Sequence, residues 1–148
     1  MKKLSDAKIM LIEDNQIDTF IAEKIFLKAE FKGEIIKCAS VLAALNILDK
    51  LLKQNESVPS LILLDLVLPL NDGFYFLEKF SSLFVEEKFK PEIVVLTAGI
   101  NPDQKTQLLN NDCVTAYFNK PLTHDITSAL LSSNYHLNNL NMLMSLKE

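Results

Sequence analysis

Leu61-Ile62-Leu63-Leu64-Asp65 is the stretch on which the fold turns. Its four consecutive aliphatic residues show no alternation of polar and apolar positions, so both faces of the strand must be covered. A strand covered on both faces belongs in the middle of a parallel sheet, with helices above and below it. The run follows a polar loop over residues 54–60 that contains Pro59, and it stops on a carboxylate.

Outward from this strand, short apolar runs alternate with longer amphipathic ones. Residues 8–12 (KIMLI) form a second buried-strand run, ending in Glu13-Asp14. Residues 17–31 have helical spacing, with Ile21, Ile25 and Ala29 every four residues and Glu23, Lys24, Lys28 and Glu30 mostly on other faces. Residues 34–38 make a short strand, and Ser40 can cap a helix running to about Lys53. Downstream, Asn71 or Asp72 caps a third helix reaching about Phe84, and residues 93–96 form another two-sided strand. Asn101-Pro102 suits the cap and first turn of a short fourth helix. Residues 114–118 are the fifth strand, and a last helix starts near Thr123. The order βαβαβαβαβα, without internal repeat or second domain, predicts an α/β fold: a doubly wound five-stranded parallel sheet with helices on both faces.

Composition agrees. The 148 residues suit one domain, and 49% apolar with 23% charged residues is globular rather than disordered. A net charge of −4 argues against direct nucleic-acid binding, which needs a basic surface. Two cysteines, Cys38 and Cys113, are too few for a disulfide framework and read as small hydrophobes. The longest apolar run is too short to span a bilayer, and the N-terminus lacks the apolar core of a signal peptide. The expectation is a cytoplasmic chain that does not engage membranes.

In open parallel sheets, sites form beyond the carboxyl ends of the strands. The first strand here ends in Glu13-Asp14, the third in Asp65, the fourth in Thr97 and the fifth in Lys120-Pro121, whereas the second ends near Cys38 with nothing reactive. Three carboxylates on one rim repel one another unless a cation shares the site, and all-oxygen ligands point to a hard ion, Mg²⁺ or Mn²⁺. Lys120 balances only one of the three charges. A metal, an ammonium and a hydroxyl together suit a phosphoryl group.

Glu13-Asp14, Asp65, Thr97 and Lys120-Pro121, with the loop sequence Asp65-Leu66-Val67-Leu68-Pro69-Leu70-Asn71-Asp72-Gly73, resemble the response regulator receiver domain of two-component signalling. The likeness covers roughly residues 7–133. It implies a flavodoxin-like sheet of order 2-1-3-4-5 and a stand-alone phosphorylation switch, not an enzyme turning over a separate substrate. Asp65 would accept phosphate from a histidine kinase or phosphotransfer protein. Asp14, Asp65 and the Val67 backbone carbonyl would hold Mg²⁺, with Glu13 acting mainly through a coordinated water. Thr97 and Lys120 would bind the phosphoryl oxygens, Tyr117 would be an aromatic switch coupled to Thr97, and the Lys120-Pro121 bond would be cis. Output would pass by protein contact, on the face of the fourth helix, fifth strand and fifth helix, to a downstream protein that the sequence does not name. The expected order sets the second and fifth strands about 19 Å apart, which excludes a bridge between Cys38 and Cys113 within one chain.

Three positions depart from the commoner pattern: Glu13 in place of Asp, Leu68 in place of Met, and apolar Val67 two residues past the acceptor. Val67 also argues against a haloacid-dehalogenase type of phosphatase, which resembles this chain in its nucleophilic strand-end Asp but carries a second Asp at that position. A phosphate-independent pseudo-receiver is the other alternative. Tyr117 by itself is a plain strand aromatic, and His124 and His136 read as surface residues. The receiver is assigned to residues 1–134 and a tail to residues 135–148, where Leu137, Leu140, Leu143 and Met144 fall at helical spacing. That tail is either an extension of the last helix or a partner-binding, dimerising one.

Overall fold

The structure, a computed structural model, describes residues 7–68 and 72–132. Five strands alternate with five helices: β1 (Lys8–Ile12), α1 (Gln16–Lys28), β2 (Glu34–Cys38), α2 (Val41–Lys53), β3 (Leu61–Asp65), α3 (Gly73–Leu83), β4 (Glu92–Thr97), α4 (Pro102–Leu109), β5 (Val114–Asn119) and α5 (His124–Leu131). All strand pairs are parallel, in the order β2-β1-β3-β4-β5. The fold is the doubly wound one, and β3 is buried at every position.

Each helix begins where a side chain can satisfy its orphan backbone N–H groups. Asn15 accepts from the N–H groups of Ile17 and Asp18, Ser40 from Ala43, Asp72 from Tyr75 and Thr123 from Ile126. Asn101 and Gln104 cap α4 reciprocally, with Pro102 in its first turn. Of the two candidate caps for α3, Asp72 takes the role; Asn71 lies outside the described residues, as do the tail and His136.

Alternation along the strands divides the core into two layers. Met10, Ile12, Ile62, Leu64, Ile93 and Val95 face α2, α3 and α4. Ile9, Leu11, Leu61, Leu63, Val94 and Leu96 face α1 and α5. Phe76 and Phe80 of α3 and Phe84 at its C-terminal cap, spaced four apart, fill much of the first layer: Phe80 lies 4.6 Å from Phe84 and 5.9 Å from Phe76, ring centre to ring centre.

The buried face of α1 is not the expected one. Ala22 and Phe26 are buried, whereas Ile21 is 42% exposed and Ile25 and Ala29 are only half-buried. Steps of four advance about 400° around a helix and so drift across its surface. α1 also carries apolar residues on every side, so spacing alone cannot select a face. Cys38 is buried, which pushes its thiol up to about 11, and Cys113 is half-buried; both are free.

A bulge between β4 and β5 places Ile93 opposite Val114 but Val94 opposite Ala116, skipping Thr115. Beyond it Thr97 lies opposite Asn119, and the Lys120 N–H donates to the Thr97 carbonyl at 2.8 Å. The bulge therefore sets which residue of the β5 end enters the rim.

Candidate functional site

The carboxyl ends of β1, β3, β4 and β5 meet on one rim. The N–H of Glu13 donates to the Cys38 carbonyl at 2.9 Å, tying the end of β1 to β2. Past Asp65, Leu66 donates to Leu96, and the Gly73 N–H returns to the Leu66 carbonyl at 2.8 Å. A Cβ on Gly73 would come within 2.9 Å of Leu66 Cα and 3.1 Å of the Asp65 carbonyl oxygen. Glycine at this position lets the start of α3 press against the chain that carries Asp65.

Carboxylate oxygens of Glu13, Asp14 and Asp65 lie within 4.8 Å of one another. Glu13 and Asp65 are buried, and Asp14 is exposed. The Lys120 ammonium reaches Glu13 Oε1 at 2.5 Å and Asp65 Oδ2 at 3.2 Å. Asp65 Oδ1 accepts from the Val67 N–H at 3.2 Å, and Glu13 Oε2 accepts from the Asn15 N–H at 3.2 Å. Val67 itself turns its side chain outward, 65% exposed.

Burial pushes the Glu13 carboxyl up; Lys120 pulls it back, neighbouring Asp65 pushes it up again, and the net direction is upward. For Lys120, burial opposes the charge, but the Glu13 and Asp18 carboxylates and the field of Asp65 more than offset it, so the ammonium titrates above the usual lysine range. One ammonium thus leaves the carboxylates under-compensated. The donors are all hard oxygens, and an exposed Asp14 leaves room for water ligands. These residues fit a small divalent cation.

Thr97 is fully buried, and its hydroxyl donates to the Gly99 carbonyl at 3.1 Å while accepting from the Gly99 N–H at 3.3 Å. Gly99 has φ 148°, a setting that glycine takes without strain. Tyr117 is half-buried against the core layer that faces α4. The Lys120-Pro121 peptide bond is cis. The rim brings Glu13, Asp14, Asp65 and Lys120 together, whereas the Thr97 hydroxyl is engaged by its own loop.

One participant was not expected from the sequence. Asp18, in the first turn of α1, places Oδ2 3.1 Å from the Lys120 ammonium. The signal available for it was weak: an acid three residues past a capping Asn is an ordinary helix-start feature.

No family model matches the chain. The protein described as "Probable methanogenesis regulatory protein FilR2" of Methanothrix harundinacea is 31% identical over 118 residues, spanning 79% of this chain and 74% of that protein. A two component response regulator from Cytophaga hutchinsonii has a similar structure over 95% of this chain and 98% of its own, with 26% identity and a TM-score of 0.74. The chain belongs to the response regulator receiver family. The Mn²⁺-bound form of response regulator Rcp1 is similar to this receiver over 86% of this chain and 96% of its own, at 25% identity and a TM-score of 0.68. Receiver domains are signalling modules of two-component systems. No helix among the described residues of this receiver is long and apolar enough to cross a membrane.

Proposed function

We propose that this receiver takes a phosphoryl group onto Asp65 from a phosphohistidine of a histidine kinase or phosphotransfer protein. The observation that carries the reading is the buried Asp65 carboxylate, paired with Lys120 inside a group of carboxylates able to hold a divalent cation. An oxygen of Asp65 attacks phosphorus in line, an O–P bond forms, the P–N bond to the donor imidazole breaks, and the imidazole nitrogen keeps the electron pair and is protonated. Asp14, Asp65 and the Val67 backbone carbonyl would hold Mg²⁺, or Mn²⁺ in its place, with Glu13 acting through water. When bound, the ion neutralises charge on the transferring oxygens.

The Lys120 ammonium pairs with one phosphoryl oxygen after transfer. The Thr97 hydroxyl leaves the Gly99 carbonyl to donate to another, and Tyr117 turns into the space released. Output passes by protein contact on the face formed by α4, β5 and α5. The donor approaches over the start of α1, where Ile17 and Phe20 are exposed on the same helix as Asp18. An apolar surface bordering a charged pocket suits a protein donor better than a small metabolite.

The test is incubation with Mg²⁺ and acetyl phosphate, followed by intact mass and the lability of any adduct. One added phosphoryl group, removed by hydroxylamine and by acid and base, is the expected result. No adduct from acetyl phosphate or from any phosphohistidine protein would favour a phosphate-independent binding module.

Two further outcomes are expected. In a calorimetric Mg²⁺ titration, Asp14→Ala weakens binding more than Glu13→Ala, because Asp14 is the inferred direct ligand while Glu13 is tied to Lys120 and Asn15. Equal losses would exchange or merge the two roles. Val67→Asn speeds spontaneous phosphate loss by about tenfold, or about 1.4 kcal/mol of barrier. Val67 is exposed beside the acceptor, and an apolar β-branched side chain there cannot hydrogen-bond the attacking water. Phosphate release followed at equal Mg²⁺ checks this; an Asn variant that keeps its phosphate as long as the parent would remove Val67 from the water path.

A further inference from the structure

We propose that Asp18 is a positioning residue for the divalent cation: it draws the Lys120 ammonium off the two carboxylates that the cation must share. This rests on the metal reading above. Lys120 Nζ is divided among three carboxylates, Glu13 at 2.5 Å, Asp18 at 3.1 Å and Asp65 at 3.2 Å. Glu13 and Asp65 belong to the oxygen cluster that fits a metal, together with Asp14. Asp18 does not belong to it. Its side chain is 42% exposed, against 5% for Glu13 and 9% for Asp65.

A cation entering the cluster meets an ammonium already seated on Asp65, which would ligate it directly, and on Glu13, which would reach it through water. Both are positive, so Lys120 must give up part of its hold on Glu13 and Asp65. Asp18 offers the ammonium a compensated place at the edge of the cluster. The two ends of this arrangement are anchored differently. Asp18 sits in the first turn of α1, where its N–H donates to Asn15 Oδ1 at 3.1 Å, and the Asn15 N–H in turn donates to Glu13 Oε2. Lys120 is held at its backbone by the Thr97 carbonyl, and its four-carbon stem leaves the ammonium free to swing. The short aspartate side chain on a capped helix turn and the long lysine stem together let the ammonium pass from inside the cluster to its rim. Without Asp18, Lys120 remains a standing counter-ion of Glu13 and Asp65 and competes with Mg²⁺.

The test is a Mg²⁺ titration by calorimetry on the whole chain, for the parent, Asp18→Asn, Asp18→Glu, Lys120→Met and the double variant Asp18→Asn/Lys120→Met. Thermal melts without Mg²⁺ confirm that each is folded. Asp18→Asn lowers Mg²⁺ affinity about fivefold, the scale of a partly exposed ion pair. Asp18→Glu restores most of it. In the Lys120→Met background the effect of Asp18→Asn shrinks to less than about twofold, because only the through-space loss of one charge remains. Undiminished affinity in Asp18→Asn, or an equal loss in both backgrounds, overturns the proposal. A parent protein that binds no Mg²⁺ overturns the metal reading itself, and this inference with it.

Discussion

Asp65→Asn takes up no phosphate from acetyl phosphate or from a phosphohistidine protein, with a loading rate below about a thousandth of the parent's, roughly 4 kcal/mol of added barrier. The side chain keeps its shape, so the Val67 N–H and the neighbouring packing retain a partner of the same size. The chemistry does not survive. An amide oxygen carries no full negative charge, and a bond from it to phosphorus would leave a cationic imidate in place of an acyl phosphate. The change also removes one of the three carboxylates of the cluster that fits a cation and one of the three around Lys120. Intact mass after incubation with Mg²⁺ and donor is the measurement. An undiminished adduct on the Asn variant would move the acceptor to Glu13 or Asp14, and peptide mapping would show which. Retention of the parent's melting temperature would separate lost chemistry from lost structure.

Phe80→Ala costs the fold about 4 kcal/mol, within the usual range for removing a buried phenylalanine. Phe80 is 1% exposed and sits between Phe76 and Phe84, so its removal empties the middle of an aromatic row. The chain has no Trp, and apart from Phe76 and Phe84 the fully buried side chains of this layer are smaller than the phenylalanine removed. Domains of this size are stable by about 5–15 kcal/mol, so the loss is a large share of the total. In urea the midpoint falls by about 2 M with an unchanged slope, taking a slope of about 2 kcal/mol per M. A loss under about 1.5 kcal/mol would mean that α3 does not pack as described. Because α3 starts at Gly73 against the Asp65–Leu66 backbone, loosening it also loosens the chain at Asp65. Slower phosphate loading in the still-folded fraction at low temperature is the accompanying expectation.

Much of this was legible in the chain because the relevant signals are local. Residues 61–64 read as a central strand from their lack of alternation, and every residue of β3 is buried. Ser40 and Asn101 read as helix caps because a short polar side chain just before a helical run can satisfy the helix's own N–H groups, and both do so. Glu13, Asp14, Asp65 and Lys120 could be picked out because each interrupts an apolar run at the end of a strand, and in a parallel sheet all such ends lie on one side. The sheet order came with the family resemblance. Strand pairing leaves little mark on residues that are buried on both faces, as in β1, β3 and β4.

The face of α1 was not legible, because apolar residues surround that helix and its buried side is chosen by the sheet and α5. The bulge at Thr115 was not legible either, since an extra residue in an edge strand costs no visible change in pattern.

By itself, then, the chain determined its elements, the caps at Ser40 and Asn101, a sheet covered on both faces and the set of groups at the strand ends, all of which depend on neighbours a few residues away. Only the tertiary structure decided how those groups share their charges. Lys120 lies 107 residues from Glu13, 102 from Asp18 and 55 from Asp65. A lysine's partners are set by which elements pack together in space, and separation along the chain carries no record of that. Asp18 is the clearest instance: in sequence an ordinary acid in a first helical turn, in space the third carboxylate around the Lys120 ammonium.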